Sequence, residues 1–166
     1  MRTHELVSVR EYLSTCYRPD CDYVDGVVEE RNMGEWDHGR VQALLVGSFL
    51  GRERRADIRV VPEQRVRVKP NRFRVPDVCV VAGPRPDEQI LTHPPFICIE
   101  ILSREQSLSD MQERVQDYLD FGVPYVWILD PKTRQAWRCS PGETRQEPEL
   151  RTEDPAILVP LAEIFG

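Results

Sequence analysis

The chain has 166 residues, 40% of them hydrophobic and 30% charged, which is typical of a globular protein with one sizeable core and excludes a disordered chain. No apolar run approaches the roughly 20 residues needed to span a bilayer, and the N-terminus lacks the apolar core of a signal peptide, so we expect a cytoplasmic protein without a membrane partner. The net charge of −6, taken alone, argues against a nucleic-acid partner, and five cysteines without CxxC spacing argue against a zinc site.

The N-terminal third of the chain predicts two helices separated by a hairpin. Residues 5–15 have the apolar spacing of a short amphipathic helix, and Asp25-Gly26 is typical of a tight turn between two short strands. A first long helix is predicted from residue 34 to about residue 55, with an apolar stripe along one side. His38 falls on this apolar side, which favours a core or first-turn hydrogen-bonding role over a role in the site.

A basic stretch at 52–74 includes two predicted strands, at 58–61 and 64–68. It contains nine basic and three acidic residues, so it carries +6 while the rest of the chain carries −12. Such a stripe is a candidate surface for a phosphate backbone, although a solvated strand-and-loop surface accounts for it about equally well. The candidate DNA contacts within it are Arg65, Arg67, Lys69, Arg72 and Arg74.

Two acidic residues stand inside strongly apolar segments. Asp77 lies in the segment 73–82 and Glu100 in the segment 95–102, and the β-branched and aromatic residues around them predict interior strands. A carboxylate is costly to desolvate there unless a cation, a metal or hydrogen-bond donors meet it. Two such acids on neighbouring strands predict a shared metal ion, although Asp77 alone would more often be a strand-end acid bound by backbone N–H groups.

The segment after Glu100 predicts a helix followed by two strands. The helix spans about residues 107–121 with helical apolar spacing, and Gly122 ends it. The strands are predicted at 125–129 and 135–139. The order of elements indicates an α/β (α+β) fold with a central mixed β-sheet flanked by helices.

The C-terminal end differs in composition from the predicted core at about 5–139. Residues 140–154 are polar and contain prolines, which predicts a mobile loop. The apolar tail 156–165 is expected to dock back on the core. Because the chain shows no repeat, linker or composition boundary, residues 1–166 are predicted to form a single domain.

A set of short motifs runs in order through the chain. It comprises Asp22-Tyr-Val-Asp-Gly26, His38, Arg74-Val-Pro-Asp-Val78, Ile99-Glu-Ile-Leu-Ser103, and Asp110, Arg114 and Tyr118 followed by Gly122-Val-Pro-Tyr-Val-Trp-Ile-Leu-Asp130. The Asp77 motif alone is weakly specific, but the ordered set resembles the Uma type of restriction endonuclease family, within the PD-(D/E)XK nuclease superfamily. The resemblance implies a restriction-endonuclease-like core.

The resemblance also implies a nuclease that depends on Mg²⁺ or Mn²⁺. The carboxylates of Asp77 and Glu100 and the carbonyl of Ile101 would hold the ion, and hard divalent cations choose such oxygen ligands. The ion would lower the pKa of a bound water and neutralise charge on the phosphate during in-line attack. Asp22 stands where this family usually carries glutamate and would be a third, outer carboxylate, although hairpins favour Asp for other reasons too.

One position departs from the superfamily motif. Leu102 stands where the motif has lysine, and the following helix, from which family members commonly supply that lysine, carries Arg114. Arginine stabilises phosphate charge but does not act as an acid or base near neutral pH. Arg114 is therefore a candidate transition-state stabiliser, with a surface contact to Asp110 as its alternative. Gln64, beside Glu63, is a further candidate to face the site.

These features predict a DNA endonuclease that hydrolyses phosphodiester bonds, without an organic cofactor. Cutting both strands of a duplex usually needs two active sites, so we expect a homodimer. The alternative is a catalytically silent nuclease fold that binds DNA or a protein, with Arg114 marking the loss of the lysine. A purely structural module ranks last, because it leaves both buried acids unexplained.

Overall fold

The computed structural model describes residues 5–165. These residues form a large sheet, a smaller sheet, a two-stranded ribbon and several helices. The helices are α1 (Val9–Ser14), α2 (Trp36–Leu50), α3 (Glu53–Ala56), α4 (Gln112–Phe121) and α5 (Leu161–Phe165), with a 3₁₀ turn at Leu108–Met111. The strands are β1 (Asp22–Val24), β2 (Val27–Glu29), β3 (Ile58–Pro62), β4 (Val66–Lys69), β5 (Arg72–Arg74), β6 (Val78–Ala82), β7 (Ile97–Ile101), β8 (Tyr125–Asp130), β9 (Gln135–Ser140), β10 (Glu143–Glu147), β11 (Glu149–Thr152) and β12 (Ile157–Pro160).

The large sheet has six strands in the order β10-β9-β8-β7-β6-β3. The pair β7–β8 is parallel, and the other neighbours in this sheet pair antiparallel. A parallel pair needs a crossover connection, which the 3₁₀ turn and α4 provide between β7 and β8. The predicted mixed sheet is therefore confirmed.

Helices cover both faces of the large sheet. On one face, α2 packs Leu45 and Phe49 into a core cluster that also contains Ile99 of β7. On the other face, α4 packs Tyr118 into a second cluster that contains Cys98, the neighbour of Ile99 along the same strand. Successive side chains of a strand point to opposite faces, so the nearly continuous apolar run of β7 feeds both clusters.

The smaller sheet has the strand order β2-β1-β5-β4 and is covered by α1. Tyr12 of α1 packs against Tyr23 and Phe73, with ring centroids 5.0 and 5.4 Å away. The hydroxyl of Tyr12 donates a hydrogen bond of 2.6 Å to the carbonyl of Cys21. This aromatic cluster joins α1 to β1 and β5.

The segment 73–82 is two strands and not one. Its first residues belong to β5 of the smaller sheet, and its last five form β6 of the large sheet. Pro76 lies at the break, where its missing N–H cannot contribute to a ladder. Asp77 therefore lies just before β6 and not within a strand, which corrects the expectation from composition.

The segment 140–154 forms regular structure, which corrects the predicted loop. Residues 143–147 are β10, paired with β9 through a turn at Gly142, whose φ of +74° is in the region that favours glycine. The side chains of β10 are mostly exposed, so its sequence lacks the apolar alternation that predicts a strand. The tail at 156–165 forms β12 and α5, which contribute Val159 and Ile164 to the core.

The first long helix is shorter than predicted. It ends at Leu50, and the separate α3 begins at Glu53 after Gly51, a residue with poor helix propensity. The second long helix ends at Gly122 as predicted, with the left-handed φ of +100° that glycine adopts without strain. No helix among residues 5–165 is long and apolar enough to cross a membrane.

Candidate active site

Asp77 and Glu100 come together at one end of the large sheet. Val78 of β6 lies opposite Ile99 of β7, and the same register continued by one residue brings Asp77 opposite Glu100. The backbone N–H of Ile101 donates a hydrogen bond of 2.8 Å to Oδ2 of Asp77. Both carboxylates are buried, with only 4% and 1% of each residue exposed.

Asp77 is surrounded by positive charge. Nη2 of Arg31 donates to Oδ1 at 2.6 Å, and Nε2 of His38 lies 3.4 Å from Oδ2. Burial alone would raise the pKa of Asp77, but the hydrogen bond with His38 and the charge of Arg31 outweigh it and lower the pKa. Burial in turn pulls the pKa of His38 down, and the hydrogen bond and charge of Asp77 outweigh it and raise the pKa. His38 therefore belongs to the site.

Glu100 has fewer compensating charges than Asp77. The Tyr118 hydroxyl donates to Oε1 at 2.5 Å, and Nη1 of Arg114 donates to Oε2 at 3.2 Å. Burial raises the pKa of Glu100 to about 7, and the charge of Asp77 adds to this, against the opposing effect of Arg114. Burial is therefore the chief reason for the raised pKa of Glu100, since the largest charge effect on it, that of Arg114, lowers the pKa.

Asp22 joins the site from β1 of the smaller sheet. Its carboxylate is fully buried and accepts a hydrogen bond of 3.0 Å from the backbone N–H of Val75. Nη2 of Arg114 lies 2.8 Å from its Oδ2, and Nη1 of Arg74 donates to the same oxygen at 3.1 Å. Asp22 is thereby linked to Glu100 through the guanidinium of Arg114.

Arg114 bridges the carboxylates of Asp22 and Glu100 from the first turn of α4. Its side chain is 16% exposed, whereas the side chains of those two acids are 0% and 1% exposed. The alternative contact with Asp110 is not formed, since Asp110 instead accepts hydrogen bonds from Ser107 at the start of the 3₁₀ turn. Arg114 is the cation at the outer side of this acidic group.

Comparisons with known proteins identify the family of this chain. Residues 9–164 match the model of the Uma2 family, whose description is "Putative restriction endonuclease". The chain belongs to this family. The structure is similar to the crystal structure of a "putative nuclease belonging to DUF820" from Anabaena variabilis, at 22% identity and a TM-score of 0.81, covering 96% of this chain and 97% of that one. Among curated proteins no match was found.

One predicted site residue of this Uma2 family member, Gln64, makes other contacts. The side chain of Gln64 donates to the carbonyls of Arg65 and Gln89 and does not contact the acids. Its neighbour Glu63 is the residue that approaches the site, with Oε1 4.0 Å from Nη1 of Arg31. Ile101 contacts Asp77 through its N–H group.

The basic stretch 52–74 does not present an open row of cations, because acids of adjacent elements lie within reach of most of its candidate DNA contacts. The side chain of Arg67 donates to the carbonyl of Pro70 at 2.7 Å. Lys69 is half exposed, with Nζ 3.8 Å from Asp117. The shorter ion pairs are Arg65–Asp20 (2.6 Å), Arg72–Asp25 (2.6 Å) and Arg74–Asp117 (2.7 Å).

Sequence reasoning missed Arg31 and the role of Tyr118. Tyr118 follows Arg114 by four residues, so helical spacing puts both on the same side of α4, a signal that was available in the sequence. Arg31 lies in an irregular segment after β2 and carries no such pattern. It reaches Asp77, 46 positions later in the chain, only because the smaller sheet lies against the end of the large one.

The donor atoms of the site fit a hard divalent cation. Among residues 5–165 no three His, Cys, Asp or Glu side chains converge as a ready-made cage. Mg²⁺, however, is usually held by one or two carboxylates together with water and substrate phosphate oxygens. Asp77 and Glu100 supply such a pair. Two of these carboxylate oxygens already contact guanidinium groups. Arg31 contacts Oδ1 of Asp77, and Arg114 contacts Oε2 of Glu100.

Proposed function

We propose that this protein is a DNA endonuclease that uses Mg²⁺ or Mn²⁺ to hydrolyse phosphodiester bonds. The observation that carries the proposal is the pair of buried carboxylates, Asp77 and Glu100, at adjoining ends of β6 and β7 in a restriction-endonuclease family member. Asp77 and Glu100 would hold the ion, with the carbonyl of Ile101 as a further ligand. Asp22 is too tightly bound by Val75 and two arginines to be more than an outer acid.

The bound ion would supply an activated water and would neutralise charge on the scissile phosphate. The chain's own residues orient the ligands. Tyr118 holds one oxygen of Glu100, while Arg31 and His38 fix the carboxylate of Asp77 and keep it ionised. Ligands held in this way need little reorganisation when substrate arrives.

Arg114 is placed to act on the substrate. It is the partly exposed cation of the group, and its fork of N–H donors suits two phosphate oxygens. A phosphate at the site would take Arg114 as a partner, releasing Oε2 of Glu100 for the ion, while Asp22 retains the other side of the guanidinium. Arg114 then stabilises charge in the transition state and takes no part in proton transfer.

A catalytically silent fold is the second candidate, and one observation favours it. Each of the three buried acids already has an arginine partner. In this reading the arginines replace the ion permanently, and the fold retains only binding to DNA or to a protein.

Cleavage of supercoiled plasmid separates the two candidates. With Mn²⁺, the wild type should produce nicked and linear DNA, whereas Asp77→Asn and Glu100→Gln should produce neither. Each variant removes one ligand charge while keeping its shape. The control is Glu143→Gln, an exposed acid on β10, which should cut like the wild type.

The replacement Arg114→Lys sharpens the choice. If the wild type binds metal but does not cut, and Arg114→Lys does cut, the silent reading is correct. If the wild type cuts and Arg114→Lys cuts more slowly, arginine is the catalytically competent residue of this chain.

A homodimer is part of the proposal, since linear product from one binding event needs two active sites. Light scattering during cleavage measures the mass of the assembly directly.

A further inference from the structure

Trp36, the first residue of α2, is 83% exposed. Tryptophan is largely buried in most proteins, and an indole ring as exposed as this one is free to stack on a ligand. The other two tryptophans differ from it, since Trp127 is buried and Trp137 is half-buried. Nothing in the site described above uses Trp36.

A cavity of about 340 Å³ lies beside Trp36. Its apolar lining includes Val41 and Phe165, and two cations, Arg40 and Arg134, stand on its wall together with one acid, Asp37. The guanidinium of Arg134 lies 5.9 Å from the centre of the Phe165 ring, which orients it beside the opening. An aromatic plane, an apolar floor and two guanidinium groups thus share one concave surface.

This surface lies at the same end of the sheet as the candidate active site. His38, two residues after Trp36, contacts Asp77. The carboxylate of Glu35, one residue before Trp36, accepts a hydrogen bond of 2.9 Å from the backbone N–H of Arg104, just beyond Glu100 on the chain. The turn that carries Arg134 follows β8, and β8 runs parallel to β7. This turn and Glu100 therefore lie at the same end of the sheet.

The cations of this surface are available to a ligand. Within residues 5–165, Arg40, Arg104 and Arg134 are exposed and form no ion pair, in contrast to Arg65 and Arg74 of the basic stretch. Unpaired arginines beside an exposed aromatic ring are the combination that binds a single nucleic-acid strand, because the bases stack and the phosphates meet the guanidinium groups.

We propose that Trp36, Arg40 and Arg134, with Arg104 on the adjoining loop, form a binding surface for single-stranded nucleic acid that leads to the active site. Trp36 stacks on an unpaired base, and the arginines contact the flanking phosphates. The inference rests on the proposed nuclease function and adds the form of substrate that enters the site, a strand that is unpaired next to the point of attack. A protein ligand is less suitable, because three unpaired cations would need a matching acidic patch.

Binding without catalysis tests this surface. A fluorescein-labelled oligo(dT) is titrated with protein in EDTA, and anisotropy and tryptophan fluorescence are recorded. Trp36→Ala should weaken binding about 5- to 150-fold and remove the fluorescence quenching, because stacking on one base contributes that much. Arg134→Gln should weaken binding and reduce the slope of log K against log[salt] by about 0.7.

The matched control is Arg85→Gln. Arg85 is exposed and lies in the connection between β6 and β7, at the opposite end of the sheet from Glu100. The variant Arg85→Gln removes the same charge as Arg134→Gln and should bind oligo(dT) like the wild type. Because Trp36 is exposed, Trp36→Ala should fold, which circular dichroism verifies, and Arg134→Gln provides an independent variant.

Two results would overturn the inference. One is equal affinity of the wild type, Trp36→Ala and Arg134→Gln for oligo(dT). The other is tight binding of a blunt duplex with no quenching by the single strand. Plasmid cleavage that persists in Trp36→Ala with unchanged oligo(dT) binding would remove this surface and leave the nuclease proposal intact. If binding and quenching depend on Trp36 but no plasmid is cut, the binding surface stands and the nuclease proposal fails.

Discussion

The guanidinium of Arg31 contacts the carboxylate of Asp77 at 2.6 Å, and their side chains are only 2% and 5% exposed. A buried pair of this kind adds little net stability, but removing one partner is strongly destabilising, because the remaining buried charge is not solvated. At the scale of single residues, the site is therefore a set of mutually dependent charges. Arg31 stabilises the ionised carboxylate of Asp77, and Arg114 contacts the carboxylates of both Glu100 and Asp22.

Removing Arg31 should destabilise the protein strongly. We expect Arg31→Met to lower the free energy of unfolding by about 3–5 kcal/mol in metal-free buffer, because Asp77 remains buried without its closest cation. Urea unfolding measures the change. The double variant Arg31→Met/Asp77→Asn should recover most of the loss. A loss below about 1 kcal/mol, like that of an exposed pair such as Arg145–Glu143, would contradict this account of the pair.

Glu100 should make stability depend on pH. Its pKa is raised from the ordinary 4.5 to about 7, chiefly by burial, so the folded state binds this proton more tightly than the unfolded chain. The resulting stabilisation is complete below pH 4.5 and is lost as the pH rises to about 7. In EDTA, Glu100→Gln should lack this loss and gain stability relative to the wild type across that window. Parallel curves for the two proteins, measured by urea unfolding, would contradict the raised pKa.

The sequence anticipated the acids of the site better than their partners. Asp77, Glu100 and Asp22 stand out because acids in apolar or motif positions are costly to bury without a reason. Arg31 is one arginine in a polar segment, and nothing local distinguishes it from the other arginines. Its role arises from a contact 46 positions along the chain, which no local pattern encodes.

At the scale of elements, the C-terminal helix is attached to α2 by a small polar cluster. Glu163 of α5 accepts hydrogen bonds from Arg52 at 3.0 Å and from Ser48 at 2.5 Å. These bonds lower the pKa of Glu163, in the order Arg52 and then Ser48. The carboxylate is 43% exposed, so solvent weakens the contribution of the pair.

Glu163→Gln should therefore have a small effect. We expect a loss of less than about 1 kcal/mol in the free energy of unfolding, because the attachment is exposed. Phe49→Ala, on the buried side of the same α2, should lower stability by about 3–5 kcal/mol. Urea unfolding of both variants compares the two contributions. Equal losses would show that α5 is held by its ion pair and not by the apolar core.

Elements with strong periodicity were predictable, and those that change sheets were not. The helix ended by Gly122 and the hairpin at Asp25-Gly26 follow from local capping and turn chemistry. The segment 73–82 has the composition of one strand, yet it crosses from the smaller sheet to the large one at Pro76. Composition reports burial and not which sheet a strand joins, so Pro76 could mark an interruption but not the change of sheet.

At the scale of the whole molecule, the site lies where the two sheets meet. The large sheet contributes Glu100, and Asp77 lies just before β6, while the smaller sheet contributes Asp22 and Arg74. The aromatic cluster around Tyr12 holds that smaller sheet in place. The charges of the site are therefore positioned by elements of both sheets.

The measurement closest to the central claim is a calorimetric titration of Mn²⁺ into the metal-free protein. The account predicts one site per chain in the wild type, with affinity reduced at least about tenfold in both Asp77→Asn and Glu100→Gln, because each removes one of two ligand charges. The exposed-acid variant Glu143→Gln should bind like the wild type. Binding that is absent from the wild type, or that survives in both ligand variants, would contradict the claim that Asp77 and Glu100 share a divalent ion.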